Sequence, residues 1–305
     1  MTLEQLRIFL AVAERQHMTR AAEALNLTQP AVSSAIAALE ARHDLPLFHR
    51  IGRHIELTEG GKLLCGEAKA ILRRVQDAEA NLADLRGLRR GRLRLAASQT
   101  VGNYWLPPLM ARFRRAFNQI DLDLTIGNTE QVAQAVKEGA AELGIVEAPI
   151  TDDVFEETLL PGDRLLLVAA ATDAGLRLSR QLYPLQQPDE ILLSTADWVW
   201  RESGSGTRQL MEAMLQKLGF DPAALPRSLE LPSNEAVRLA VEAGAGFTII
   251  SELVVAASIQ EGRILAWDLP AADRGFRLLR HRAYQPSQAA IAFQTMLSAA
   301  APAMP

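Results

Sequence analysis

Three stretches of this 305-residue sequence join an apolar run to a helix-forming run through small polar residues. The richest is Arg201-Glu202-Ser203-Gly204-Ser205-Gly206-Thr207-Arg208. Free backbone N–H groups at a helix start, with serine and threonine hydroxyls and a nearby guanidinium, make an anion or carboxylate site. It is not a dinucleotide fingerprint, since Gln209 stands where the third glycine would be, and the lysine of a phosphate-binding loop is absent. Ser98-Gln99-Thr100 and Asn128-Thr129 also follow apolar runs and precede helical ones. In a doubly wound lobe the carboxyl ends of strands converge on one crevice, so the three stretches are expected to face one another. Glu147 closes a further apolar run and approaches the same crevice. A carboxylate there disfavours a bare dianion unless Arg201 pairs with it, and it can accept a hydrogen bond from a protonated ligand. The expected ligand set is Ser98, Gln99, Thr100, Asn128, Thr129, Glu147, Arg201, Ser203, Ser205 and Thr207. The plain alternative is that these residues only cap helices.

A second polar constellation lies near the N-terminus. Thr28, Gln29, Pro30, Ser33 and Ser34 fall at the start of a helix whose other side carries Val32, Ile36 and Leu39. Short side chains let a helix sink into a major groove, a glutamine can bridge an adenine, and hydroxyls can bind phosphate or base. Thr19, at the start of the preceding helix, joins this set. Arg50 and Arg53, at the tip of a short hairpin, can reach the flanking backbone or minor groove. The alternative is a three-helix interaction module with a solvated polar face.

Catalysis finds little support. No Ser/His/Asp arrangement, G-x-S-x-G elbow or metal-spaced His/Glu set is present, and the C-terminal body contains one histidine, His281. The lone cysteine, Cys65, cannot form an internal disulfide and supports no zinc site. No cofactor is expected.

The elements that must position these residues can be read from periodicity. Leu3, Leu6, Leu10 and Ala13 recur at helical spacing. Thr19 is placed to cap a second helix over Ala21, Ala22 and Leu25, and Thr28 a third, running to about Arg42 with Pro30 in its first turn. Leu47-Phe48 and Ile55-Leu57 flank the basic tip. From Gly60 to Leu88, Leu64, Ala68, Ile71, Val75, Ala78, Leu82 and Leu85 are spaced 4-3-4-3-4-3, the seam of a helix that pairs with another chain. Packing on its own domain is the alternative. Beyond Arg86-Gly87-Leu88-Arg89-Arg90-Gly91, apolar runs and helical patterns alternate. Strands are expected at Leu93–Ala97, Leu122–Ile126 and Leu143–Val146, then at Leu165–Ala170, Trp198–Arg201, Ser228–Leu231, Phe247–Ile250, Ile264–Trp267 and Leu278–His281. The β-α-β-α-β order predicts parallel sheets in two lobes. Trp198 and Trp200 alternate about Val199, which assigns one to the core and the other to the opposite side of the strand.

The net charge of -4 conceals an asymmetry. Residues 1–90 hold 13 Lys and Arg against 11 Asp and Glu, and the remainder 19 against 25, so +2 stands beside -6. A polyanion-facing head on an acidic body follows. No apolar run reaches the length of a membrane span, the first residues lack a secretory pattern, and a cytoplasmic protein with no membrane partner is expected. A periplasmic solute-binding protein would share the body but would need an export signal and would lack the head.

Leu3-Glu4-Gln5-Leu6-Arg7-Ile8-Phe9, Met18-Thr19-Arg20-Ala21-Ala22-Glu23-Ala24-Leu25, Thr28-Gln29-Pro30-Ala31-Val32-Ser33, Leu39-Glu40, Leu47-Phe48-His49-Arg50 and Leu57-Thr58-Glu59-Gly60-Gly61 resemble the winged helix-turn-helix of LysR-type transcriptional regulators. The resemblance implies an α+β multidomain chain: a winged helix-turn-helix over 1–60, a linker and dimerisation helix over 61–90, and an effector-binding domain over 91–305. That domain would resemble periplasmic binding proteins, with lobe I at about 91–163 and 268–305 and lobe II at about 164–267. Carried over by position, Thr28, Gln29, Pro30, Ser33, Arg50 and Arg53 would meet DNA. The implied partners are double-stranded DNA at a dyad operator, a small effector such as an oxyanion or carboxylate, and further copies of the chain in a homodimer or homotetramer. The Arg201–Thr207 stretch is similar to that of members tied to sulfur or inorganic-nutrient metabolism. The competing reading is a two-lobed small-molecule-binding protein or enzyme whose N-terminal helices are only an interaction module.

Overall fold

The computed structural model of the chain describes residues 1–51, 54–84, 91–172 and 190–299. Arg53, Leu85 and residues 86–90 lie outside them, as do the side chains of Arg50 and Leu82. Two compact units result, Met1–Gly87 with Glu138–Ala140 and Leu88–Lys137 with Ala141–Pro305. Among the described residues no helix is long and apolar enough to cross a membrane.

The first unit begins with α1 (Leu3–Arg15), α2 (Met18–Leu25) and α3 (Gln29–His43). Thr2 and Gln5 close a reciprocal cap at the start of α1. The N-cap of α2 is His17 rather than Thr19: its Nδ1 accepts the backbone N–H groups of Thr19 at 3.2 Å and Arg20 at 3.5 Å. Thr19 is itself inside the helix and exposed. Thr28 sits at the N-cap of α3 but its side chain makes no capping bond. Leu6, Phe9, Val12, Ala21, Val32, Ile36 and Leu39 close the core between the three helices. The hairpin of β1 (Phe48–Ile51) and β2 (His54–Leu57) is antiparallel. Glu40 fastens it to α3 by accepting the N–H groups of Leu47 at 2.8 Å and Phe48 at 3.3 Å.

The long helix α4 spans Glu59–Asp84. Its expected seam divides. Leu64, Ala68 and Ile71 pack into the core of their own unit, with Ala68 fully buried, whereas Val75 is half-buried and Ala78 exposed. The helical period keeps Leu64, Ala68 and Ile71 on one face, and that face packs chiefly against α1.

The second unit contains β3 (Gly91–Ser98), α5 (Leu106–Ala116), β4 (Ile120–Gly127), α6 (Thr129–Lys137), β5 (Leu143–Val146), β6 (Phe155–Ala170), α7 (Glu190–Thr195), β7 (Trp198–Arg201), α8 (Gly206–Lys217), β8 (Arg227–Leu231), α9 (Asn234–Glu242), β9 (Thr248–Ser251), α10 (Glu252–Gln260), β10 (Ile264–His281) and α11 (Gln288–Ala299). Only part of the expected parallel pairing occurs. β3 runs parallel to β4 and β5, and β7 to β8, but β10 is antiparallel to both β5 and β6, and β6 to β9. The larger sheet has the order β4-β3-β5-β10-β6-β9.

Two lobes arise because β6 and β10 are long enough to serve both. Residues 155–160 of β6 pair with 276–281 of β10 in lobe I, and 166–170 with 264–268 in lobe II. The register shifts between Asp268 and Asp273 and again between Arg274 and Phe276. The backbones touch at that crossing, where a Cβ on Gly162 would collide with the carbonyl of Arg274 and one on Gly275 with Leu159 and Leu160. Leu95, Phe113, Leu143, Phe276 and Phe293 fill lobe I. Trp198 and Trp200 are both fully buried in one core of lobe II, while Val199 faces another. Side chains two apart in a strand share a face, so the split expected of the tryptophans does not occur.

Candidate functional site

Lobe I presents to lobe II the ends of β3, β4 and β5, and lobe II answers with the starts of α8 and α9. Ser98, the last residue of β3, and Thr100 just beyond it are buried, as are Glu147 after β5, Arg201 at the end of β7, and Ser205 and Thr207 at the start of α8. The strand-to-helix rule therefore brings the expected stretches together.

What they bind first is a carboxylate of the chain itself. Glu147 Oε1 accepts the Ser98 hydroxyl and the Thr100 backbone N–H, each at 3.1 Å, and Oε2 accepts the Thr207 hydroxyl at 2.8 Å. Its cation is Arg274, whose Nη1 lies 3.3 Å away, not Arg201. Burial opposes the charge on Glu147, but the Arg274 guanidinium and the bonds from Thr207, Thr100 and Ser98 outweigh it and hold the carboxyl below its ordinary range. Arg274 also reaches Asp163 on β6, with Nη2 to Oδ2 at 3.1 Å, and Asp163 accepts the hydroxyl of Ser251.

Arg201 is spent elsewhere. It makes a two-pronged pair with Glu202, Nε to Oε2 at 2.7 Å and Nη2 to Oε1 at 2.9 Å, and its Nη1 donates to Asn234 Oδ1. Adjacent residues satisfy each other here because Arg201 is buried and Glu202 is the nearest carboxylate. Asn234 Nδ2 donates to the Thr100 hydroxyl at 2.9 Å. Gln99 ties the lobes: Nε2 donates to the carbonyl of Pro232 at 3.0 Å and Oε1 accepts the N–H of Asn234 at 2.9 Å.

Thr129 was placed by its sequence to cap α6, but Asn128 performs that task. Asn128 Oδ1 accepts the Gln131 N–H, and Gln131 Oε1 accepts the Asn128 N–H, both at 2.9 Å. Asn128 Nδ2 also donates to Glu202 across the lobes at 3.2 Å. The Thr129 hydroxyl is buried without a hydrogen-bond partner, directed at Gly206, where an added Cβ would strike it. A groove of about 460 Å³ opens beside it, lined by Thr129, Glu130, Ala133, Pro149 and Ile150 of lobe I and by Ser203–Ser205, Arg208, Gln209 and Glu212 of lobe II. Ser205 caps α8 by accepting the Arg208 N–H, which leaves the first N–H groups of the helix, at Gly206 and Thr207, without intrahelical acceptors.

Sequence reasoning missed Asn234, Asp163 and Arg274. Asn234 follows β8 and opens α9, so the strand-to-helix rule that found the other stretches would have found it. Arg274 lies within a strand, where no local pattern marks it.

In the first unit, Thr19, Thr28, Gln29, Pro30 and Ser34 are exposed and Ser33 half-buried. Gln29 Nε2 donates to the Ser33 hydroxyl at 2.9 Å, so one turn of α3 presents a joined amide and hydroxyl. Arg53 and the Arg50 side chain lie outside the described residues.

Residues 3–62 match the bacterial regulatory helix-turn-helix of the lysR family, and residues 86–302 the LysR substrate binding domain. The chain is 36% identical over 268 residues to the HTH-type transcriptional regulator CbbR of Rhodospirillum rubrum, spanning 88% of this chain and 85% of that one. It is 34% identical over 296 residues to the RuBisCO operon transcriptional regulator of Allochromatium vinosum, with 96% and 94% covered. The fold is that of full-length CbnR complexed with its target DNA, with a TM-score of 0.71 at 21% identity over 99% of this chain and 100% of that one. The relatives are transcriptional regulators rather than enzymes, and this chain belongs to the LysR family of DNA-binding transcriptional regulators.

Proposed function

We propose that the second unit binds a small effector carrying a carboxylate or another oxyanion in the groove between its lobes, and that occupancy alters operator binding. The observation that carries this reading is the groove at the start of α8, whose first N–H groups lack intrahelical acceptors, beside Thr129, whose buried hydroxyl has no hydrogen-bond partner. A helix start attracts negative charge through these groups and its dipole. Ser98, Thr100 and Thr207 already hold Glu147, so the effector's contacts are assigned to Thr129, Ser203, Ser205 and the α8 backbone. Asn128, Glu147, Arg201 and Gln99 position the lobes around them. Movement of the lobes would pivot at the Gly162 and Gly275 crossing.

The exposed face of α3 reads the major groove with Gln29, Pro30, Ser33 and Ser34. Thr19 and Thr28 contact phosphate, and Arg50 and Arg53 the flanking backbone. The residues of α4 beyond Ile71 pair with a second copy, giving a homodimer or homotetramer on a dyad operator in the cytoplasm. The test is a titration of the full chain on operator DNA with candidate carboxylates and oxyanions. Thr129→Val is expected to lose the effector response while keeping effector-free DNA affinity. A variant that responds at wild-type concentrations would remove the groove from the reading.

A further inference from the structure

We infer that the effector is an α-amino acid with an apolar side chain, its carboxylate on the start of α8 and its ammonium on Glu130. The inference rests on the groove being the effector site and follows from how charge is distributed around it. The three arginines that flank the cleft are already neutralised. Arg201 is paired with Glu202, Arg274 with Glu147 and Asp163, and Arg208 with Glu212 at 2.9 Å and Glu230 at 2.9 Å. Among the described residues that line the groove, no whole positive charge is left for an incoming anion. What remains is the partial charge of a helix start, about half a unit, and the hydroxyls of Thr129, Ser203 and Ser205.

Negative charge, by contrast, is in surplus. The groove lining carries Glu130 and Glu212 against Arg208, and the buried cluster behind it carries Glu147 and Asp163 against Arg274. Among the described residues no cation pairs with Glu130. Its carboxylate stands against Gly204, whose φ of 82° only glycine adopts comfortably and whose added Cβ would strike Glu130 Oε2. The free carboxylate thus stands at Gly204, between Ser203 and the α8 N-cap Ser205 that line the groove, so an ammonium on Glu130 and a carboxylate on the helix start occupy neighbouring points of the lining. A sulfate or phosphate dianion would meet the surplus negative charge with only the partial charge of the helix start to offset it, whereas a zwitterion adds none. Ala133, Pro149 and Ile150 complete the lining and supply an apolar wall for a side chain.

The test uses the full chain in thermal-shift and calorimetric titrations with the apolar α-amino acids at millimolar concentration. The same titrations are run with their des-amino carboxylic acids, their decarboxylated amines, inorganic phosphate and sulfate. At least one amino acid is expected to raise the melting midpoint, with its des-amino acid about tenfold or more weaker, the scale of one charge-assisted contact. Glu130→Gln should remove that tenfold preference and leave des-amino binding unchanged, while Thr129→Val should weaken both. Binding of a des-amino acid or an inorganic oxyanion as tight as that of every amino acid, or a preference that survives Glu130→Gln, overturns the zwitterion and leaves the groove standing. So does the absence of any response to amino acids. A ligand that binds equally well to the wild type and to Thr129→Val overturns the groove as the site.

Discussion

A carboxylate with 2% of its side chain exposed stays ionised at Glu147 because three hydrogen-bond donors and a guanidinium surround it. Its folded carboxyl titrates below the ordinary range, so its contribution is complete above about pH 4.3, the unperturbed value, and is lost as the pH falls through the lower folded value. Glu147→Gln should therefore melt below the wild type at neutral pH, since Arg274 loses a partner, and the gap should narrow as the solution is acidified past pH 4. Parallel melting curves from neutral to acid pH check this, and a gap constant with pH would mean that Glu147 is already protonated. On the DNA-facing side, Gln29→Ala should cost about 1 to 3 kcal/mol on a specific operator and almost nothing on random duplex, measured by fluorescence anisotropy. Equal losses on both would take base reading away from Gln29.

Among the elements, α2 depends on an imidazole that accepts two backbone N–H groups. His17→Ala should destabilise that helix by about 0.5 to 2 kcal/mol, the usual worth of an N-cap, and His17→Asn should restore most of it. Hydrogen exchange at the first amides of α2 reads the change directly. The sequence could not reveal this cap, because histidine is an uncommon N-cap and Thr19, two residues on, is a common one. Local patterning did reveal α1, α3, α4 and β3 to β5, through apolar positions recurring at a helical or strand period or, in β5, a short apolar run between polar stretches. It missed α10, because Leu253-Val254-Val255-Ala256-Ala257 is apolar on every side and shows no helical stripe. It also cut β6 and β10 short, because Pro161-Gly162 and Gly275 look like chain breaks, whereas they mark where two continuous strands cross. The cleft was legible in its hydroxyls and helix starts. Its arginine partners were not, since which carboxylate meets Arg201 or Arg274 is decided by tertiary placement.

At the scale of the whole molecule, the crossing of β6 and β10 joins the two lobes of the second unit. Gly162→Ala would drive a methyl group into the Arg274 carbonyl, so the strands must part there. Overpacking of this kind costs about 1 to 3 kcal/mol, and the melting midpoint of the second unit should fall, with operator affinity in the absence of effector retained. A variant with unchanged melting would show that the crossing gives way freely. The sheet order carries a further consequence for how the chain is made. β10 lies between β5 and β6, so the central strand of the sheet is the last to leave the ribosome. Until it arrives, the edge of β5 and the much longer edge of β6 stay open and prone to stray pairing. Premature termination before Ile264 would therefore leave a DNA-binding head carrying an unfinished, aggregation-prone sheet rather than a shortened regulator.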